Sequence, residues 1–227
     1  MRAARGLGAS GAVIAVLFMV VQPFVVQLYF VPTRSMEPTL RPGDFVLGLK
    51  RPGLLALDDV VVLRPPEAVR DDRLHIKRIV GLPGDVVEIA AGRLFRNGLP
   101  VLEPFARDIE GDSFKLATYR GKTIPVRTGR SGLANYDSDV APPFAVGWDR
   151  AKGAFSALDR LTSEQAQALI ELRGAKAAPV PPGYILVFGD NRPGSQDSRQ
   201  WGLVRKEDVA AKVVRVLFPF SRAGRLP

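Results

Sequence analysis

Three short stretches hold the side chains most able to do chemistry. VPTRSMEPTLRPGDFVLG, from Val31, carries Ser35 between two prolines. LHIKRIVGLPGD, from Leu74, carries His75 and Lys77, and LVFGDNRPGSQDSRQWG, from Leu186, carries Ser195, Asp197 and Arg199. A serine hydroxyl is a poor nucleophile until a neighbouring base takes its proton. Two residues of the second stretch could be that base. Histidine titrates near neutrality without deep burial. Lysine, with a pKa of about 10.4, must be desolvated before it is a neutral amine. Residues two apart on a strand share a face, so His75, Lys77 and Ile79 point the same way.

Taken singly, each stretch also has a plain structural account. A lone serine is usually part of a turn, and here Pro32 and Pro38 stiffen the backbone around it. A strand lysine often guards a sheet edge against aggregation. The third stretch reads as a sharp, well-capped loop after a strand, in which Asp197 and Arg199 form an ion pair.

Of the elements that must hold these residues, the N-terminus carries the largest composition shift. No residue from Gly6 to Thr33 is formally charged. That length suffices for a membrane-crossing helix, which needs about 20 apolar residues. No A-x-A-like site follows the run, so residues 7–30 read as a retained anchor behind a short tail, 1–6, not as a cleaved leader. Arg2 and Arg5 precede it, while Arg34, Arg41, Lys50 and Arg51 follow it, so charge counting leaves the orientation open.

After the anchor come short strands with turn signals: Asp44–Leu49, Asp59–Leu63, Leu74–Val80, Asp85–Ala90, Arg93–Arg96, and later Tyr184–Gly189 and Lys212–Phe218. Ala91-Gly92 and Asn97-Gly98 suit hairpin turns. Residues 99–182 read as a mixed, loop-rich insertion containing one helix, capped by Thr162 and ending at Gly174. The expectation is a mainly β, antiparallel-sheet domain, residues 31–98 and 183–220, split by that insertion and followed by a tail, 221–227.

Composition narrows the chemistry. The chain of 227 residues has no cysteine and one histidine. Thiol nucleophiles, disulfides and multi-histidine metal centres are thereby excluded, and neither metal nor cofactor is expected. A net charge of +9 suits nucleic acid or an anionic lipid surface. No nucleic-acid-binding signature accompanies it, so a lipid bilayer is the expected partner and nucleic acid is not.

The order of the blocks says more than any one of them. It runs Ser35-Met36, Pro38-Thr39-Leu40 and Gly43-Asp44, then Lys77-Arg78 with Gly81-Leu82-Pro83-Gly84-Asp85. Gly189-Asp190-Asn191-Arg192, Ser195, Asp197-Ser198-Arg199 and Trp201-Gly202 complete it. Behind an apolar anchor, this order resembles the bacterial type I signal peptidases, or leader peptidases. The resemblance implies a membrane-bound serine endopeptidase that removes signal peptides from exported preproteins, with its catalytic domain outside the cell membrane. It implies Ser35 as nucleophile, Lys77 as general base and Ser195 as the residue that aims the amine. Asp197 and Arg199 would support the dyad, and Thr33 would join the Ser35 N–H in an oxyanion hole. Met36, Leu40, His75 and Ile76 would line the substrate cleft. Arg34 departs from the family pattern, which often has a small residue there.

Other readings stay open at this point. His75 with an aspartate is a permissible alternative base. A peptidase dedicated to one pilin or conjugation precursor fits the same residues. A catalytically inactive, membrane-tethered β module would need Ser35, Lys77 and Ser195 to be intact by chance.

Overall fold

Branched and aromatic runs broken by glycine and proline pair as strands here, as their propensities dictate. The computed structural model describes residues 25–50, 52–66, 72–107, 113–119, 121–128, 148–149, 154–155, 171–172 and 174–227, and it is mainly β. Early in the chain come β1 (Val26–Phe30), β2 (Phe45–Lys50), β3 (Val60–Leu63) and β4 (His75–Gly81). The middle holds β5 (Val87–Ala90), β6 (Arg93–Arg96), β7 (Leu99–Pro100), β8 (Ser113–Tyr119), β9 (Lys122–Thr128), β10 (Trp148–Asp149) and β11 (Ala154–Phe155). Last come β12 (Tyr184–Phe188), the short helix α1 (Ser198–Trp201), β13 (Val204–Arg205), β14 (Val209–Phe218) and β15 (Gly224–Arg225).

The larger sheet runs β1-β2-β14-β3-β4-β12-β13, with β15 also on β14, and its neighbours are antiparallel. Late strand β14 lies between β2 and β3, which ties the two sequence-distant parts of the domain into one sheet. Its middle strand β3 is buried throughout. Val60 and Val62 face a cluster with Tyr29, Met36, Leu40, Val46 and Val213. Val61 and Leu63 face another with Ile79, Ile185, Val187 and Trp201. A strand covered on both faces has no polar alternation to show, and VVVL has none.

A second sheet runs β7-β6-β5-β8-β9. Both of its predicted two-residue turns form, with positive φ at Ala91, Gly92, Asn97 and Gly98. β7, β8 and β9 lie within residues 99–182, the span expected as an insertion. Phe114 and Leu116 alternate inward and pack with Val87, Ile89 and Phe188, so this part of the span completes the sheet that β5 and β6 begin. The helix expected from Thr162 lies mostly outside the described residues; Glu171, Leu172 and Gly174 are helical.

The N-terminal expectation needs one correction. Val26–Phe30, reckoned with the anchor, are β1, in full register with β2 from Val26↔Leu49 to Phe30↔Phe45. Alternation of Gln27 and Tyr29 with apolar neighbours suits a strand that has a partner to satisfy its backbone. Residues 1–24, where the rest of the anchor is expected, lie outside the described residues. Among those described, no helix is long and apolar enough to cross a membrane.

Candidate active site

Ser35 lies on the turn that joins β1 to β2. The base of that turn is closed by Val31 N–H donating to Asp44 O and Gly43 N–H donating to Val31 O, both at 2.9 Å. Met36 and Leu40 leave the turn inward and are buried in the core, while Leu40 N–H donates to Met36 O. Hydrophobic anchors thus fix the backbone on the C-terminal side of the serine hydroxyl.

Lys77 approaches from β4, where it pairs with Val61 of β3. Only 2% of it is exposed, yet its Nζ donates to Ser35 Oγ over 2.8 Å. Desolvation lowers its pKa to about 8; the Asp197 carboxylate opposes that shift, and Arg199 reinforces it. Thr33 Oγ1 lies 3.3 Å from Ser35 Oγ on the exposed side.

The 189–202 loop backs this pair. Asp197 caps α1, accepting from Arg199 N–H, while Asp197 N–H donates to Gln200 Oε1. Both Asp197 oxygens take the Arg199 side chain, from Nε and Nη2 at 2.8 Å, and Gly189 N–H is a further donor at 2.9 Å. Burial alone would raise the Asp197 carboxyl, but Arg199 and these bonds hold it below its ordinary value. Gly189 sits between the two serines. A Cβ there would run into Ser195 Oγ and the Ser35 carbonyl oxygen, which explains the glycine. Ser195 Oγ is buried and makes no hydrogen bond among the described residues, Lys77 Nζ included.

Sequence reading missed the residues on the other face of β4. Arg78, buried beside Lys77, donates from Nε and Nη2 to the two Asp190 oxygens at 2.9 and 2.8 Å. Thr39, on the turn that carries Ser35, donates to Asp190 over 2.5 Å, and Asn191 N–H donates to Ser35 O over 3.1 Å. Phe105 stacks on the Arg78 guanidinium at 3.7 Å. An arginine inside an apolar strand was the available signal, because such a charge must find a partner.

Of the remaining predicted residues, Ile76 packs half-buried against the Met36–Leu40 cluster. His75 stands with its ring 5.5 Å from that of Trp201. Met36 and Leu40 are almost wholly buried in that cluster.

A family model described as signal peptidase, peptidase S26, matches residues 5–218. The chain belongs to the signal peptidase S26 family. It is 30% identical over 220 residues to signal peptidase IB of Staphylococcus aureus, covering 93% of this chain and 88% of that protein. With signal peptidase I of Aquifex aeolicus it shares 29% over 222 residues, 95% of this chain and 82% of the other. A solved signal peptidase I from Enterococcus faecalis aligns at a TM-score of 0.37 and 19% identity, covering 70% of this chain and 96% of that one. As a member of the S26 peptidases, this chain is a peptidase.

Proposed function

We propose that this chain is a serine endopeptidase that removes signal peptides from exported preproteins, with Ser35 as nucleophile and Lys77 as general base. The observation that carries this reading is a buried lysine amine 2.8 Å from a serine hydroxyl, with a pKa near 8. At that value a useful fraction of the amine is neutral at physiological pH. It takes the Ser35 proton as Oγ bonds to the scissile carbonyl carbon. The oxyanion then draws on the Ser35 N–H and the Thr33 hydroxyl. The lysine ammonium passes its proton to the departing amine, and the acyl-enzyme is hydrolysed by water that the same amine activates.

Ser195 is the partner that aims the amine. Its hydroxyl is buried, unpartnered and packed against Gly189 beside the Ser35 carbonyl, so it is placed for an acceptor or donor that arrives during the reaction. The Asp197–Arg199 pair supports the loop that carries it.

The register of β12 on β4 stops at Phe188↔Arg78, one residue short of Lys77. An extended peptide laid along β4 there would present alternate side chains to the cleft. Ile76, with Met36 and Leu40 beneath it, makes a shallow apolar floor that accepts small residues and is overfilled by large ones. His75 borders that cleft.

A location at the membrane is supported by a row of exposed apolar side chains. Leu28, Phe30, Phe218 and Phe220 are exposed, Phe220 by 84%. The phenylalanine rings form a chain, Phe30 to Phe45 at 5.2 Å, Phe45 to Phe218 at 6.2 Å and Phe218 to Phe220 at 5.6 Å. β1 contributes two of them and directly continues the apolar N-terminal run, so one membrane-seated edge and an anchor in residues 7–30 fit together. The catalytic domain then faces outward, where preproteins emerge.

The test is cleavage by detergent-solubilised protein of a preprotein whose signal peptide ends in A-x-A. Wild type is expected to release the mature protein, and Lys77→Ala to lose about 10²–10⁴-fold in rate. A Lys77→Ala protein of near wild-type activity would overturn the assignment.

A further inference from the structure

Residues 221–227, expected as a tail, return with Pro219 and Phe220 to the turn that carries Ser35. Phe220–Arg222 form a single 3-10 turn, after which β15 pairs back on β14 through Arg215↔Arg225 and Val216↔Gly224. Three separate contacts then reach the site. Arg222 Nη2 donates to Thr39 O at 3.0 Å and lies 3.2 Å from Asp44 Oδ2. Leu226 packs against the cluster that holds Met36 and Leu40. Pro227 O accepts from Arg78 Nη1 at 3.1 Å, on the residue next to Lys77.

Asp44 makes the first contact consequential. Its carboxylate is 2% exposed, closes the turn by accepting from Arg41 N–H, and has Arg222 as its ion-pair partner. A buried carboxylate that loses its cation must take up water or move. Movement of Asp44 moves the Val31–Asp44 closure, and with it Ser35. Leu226 acts on the same turn from below, through the side chains on either side of Pro38. The side-chain polar contacts of the segment go to the nucleophile turn, and its last carbonyl goes to the neighbour of the base.

We propose that residues 219–227 are a strap that sets the position of Ser35 relative to Lys77, with Arg222 and Leu226 as positioning residues. The proposal rests on the reading of Ser35 as nucleophile. Its range of effect follows from geometry, since a misplacement of about 1 Å between reacting groups costs up to ~10²-fold in rate.

The experiment measures kcat, KM and the thermal midpoint of the full chain in detergent on an A-x-A preprotein. Variants are Arg222→Ala, Arg222→Lys and Leu226→Ala, with Ser35→Ala alongside. Arg222→Ala is expected to lower kcat by ~10- to 100-fold with KM within about twofold, while remaining folded at the assay temperature. Arg222→Lys restores most of the loss because it restores the charge beside Asp44, and Leu226→Ala lowers kcat by a smaller factor. A folded Arg222→Ala with wild-type kcat, or a loss that appears only in KM, overturns the strap. If Arg222→Ala does not fold, a folded Leu226→Ala with wild-type kcat overturns it equally. Cleavage by Ser35→Ala would instead remove the nucleophile reading, whatever the strap variants do.

Discussion

Lys77 and Arg78 are neighbours on β4, both almost wholly buried, and they face opposite sides of the sheet. Arg78 meets the two oxygens of Asp190 and the carbonyls of Asp58 and Pro227. Lys77 meets a serine hydroxyl, and the carboxylate that acts on it most strongly, Asp197, already holds Arg199 with both oxygens. Guanidinium is not deprotonated in proteins, so a buried arginine must be matched, and this one is. An ammonium can shed its proton, and burial without a dedicated counter-ion favours that outcome. Equal burial therefore leaves a matched cation on one face and, on the other, an amine whose pKa is lowered to about 8, as the proposed base requires. What separates them is the charge within hydrogen-bonding reach.

The contrast is broken most severely on the arginine side. Asp190→Ala removes the side-chain carboxylate that pairs with the buried Arg78 guanidinium, and is expected to lower stability by about 3–5 kcal/mol. Denaturant unfolding measures this, and a change below about 1 kcal/mol would show that the pair is not what holds Arg78 in place.

On the lysine side the sign reverses. The folded pKa of about 8 lies below the ordinary lysine value of 10.5, so the unfolded chain binds more protons between those values. Stability therefore rises with pH across that window, and the cost of burying Lys77 is full below about pH 8. Lys77→Met is expected to stabilise the folded protein at neutral pH by up to about 3 kcal/mol, a gain that shrinks as pH approaches the upper value. Lower stability of the variant at pH about 7, by the same unfolding measurement, would mean that the amine is buried as a compensated charge.

Much of this was legible in the sequence, for physical reasons that differ by region. The strands around the site announce themselves through branched runs ended by Pro-Gly or Asn-Gly, and the dyad through blocks in a fixed order. β9 was harder, because Pro125 in its middle argues against a strand. The structure seats β9 at the outer edge of its sheet, the place in a sheet where proline is tolerated. The Arg78–Asp190 pair joins residues 112 apart, and the Arg222–Thr39 bond spans 183. Neither periodicity nor turn chemistry reports on contacts so remote. Ser195 shows the opposite case: the family order singles it out, while the geometry leaves its hydroxyl waiting for a partner.

The most direct test of the central claim is the pH dependence of kcat for an A-x-A preprotein, in wild type and in His75→Ala. If burial makes Lys77 the base, kcat rises about tenfold per pH unit below its pKa and levels off above about pH 8, with the same limb in both proteins. A limb near pH 6.5 that disappears in His75→Ala would hand the proton to histidine and contradict the account.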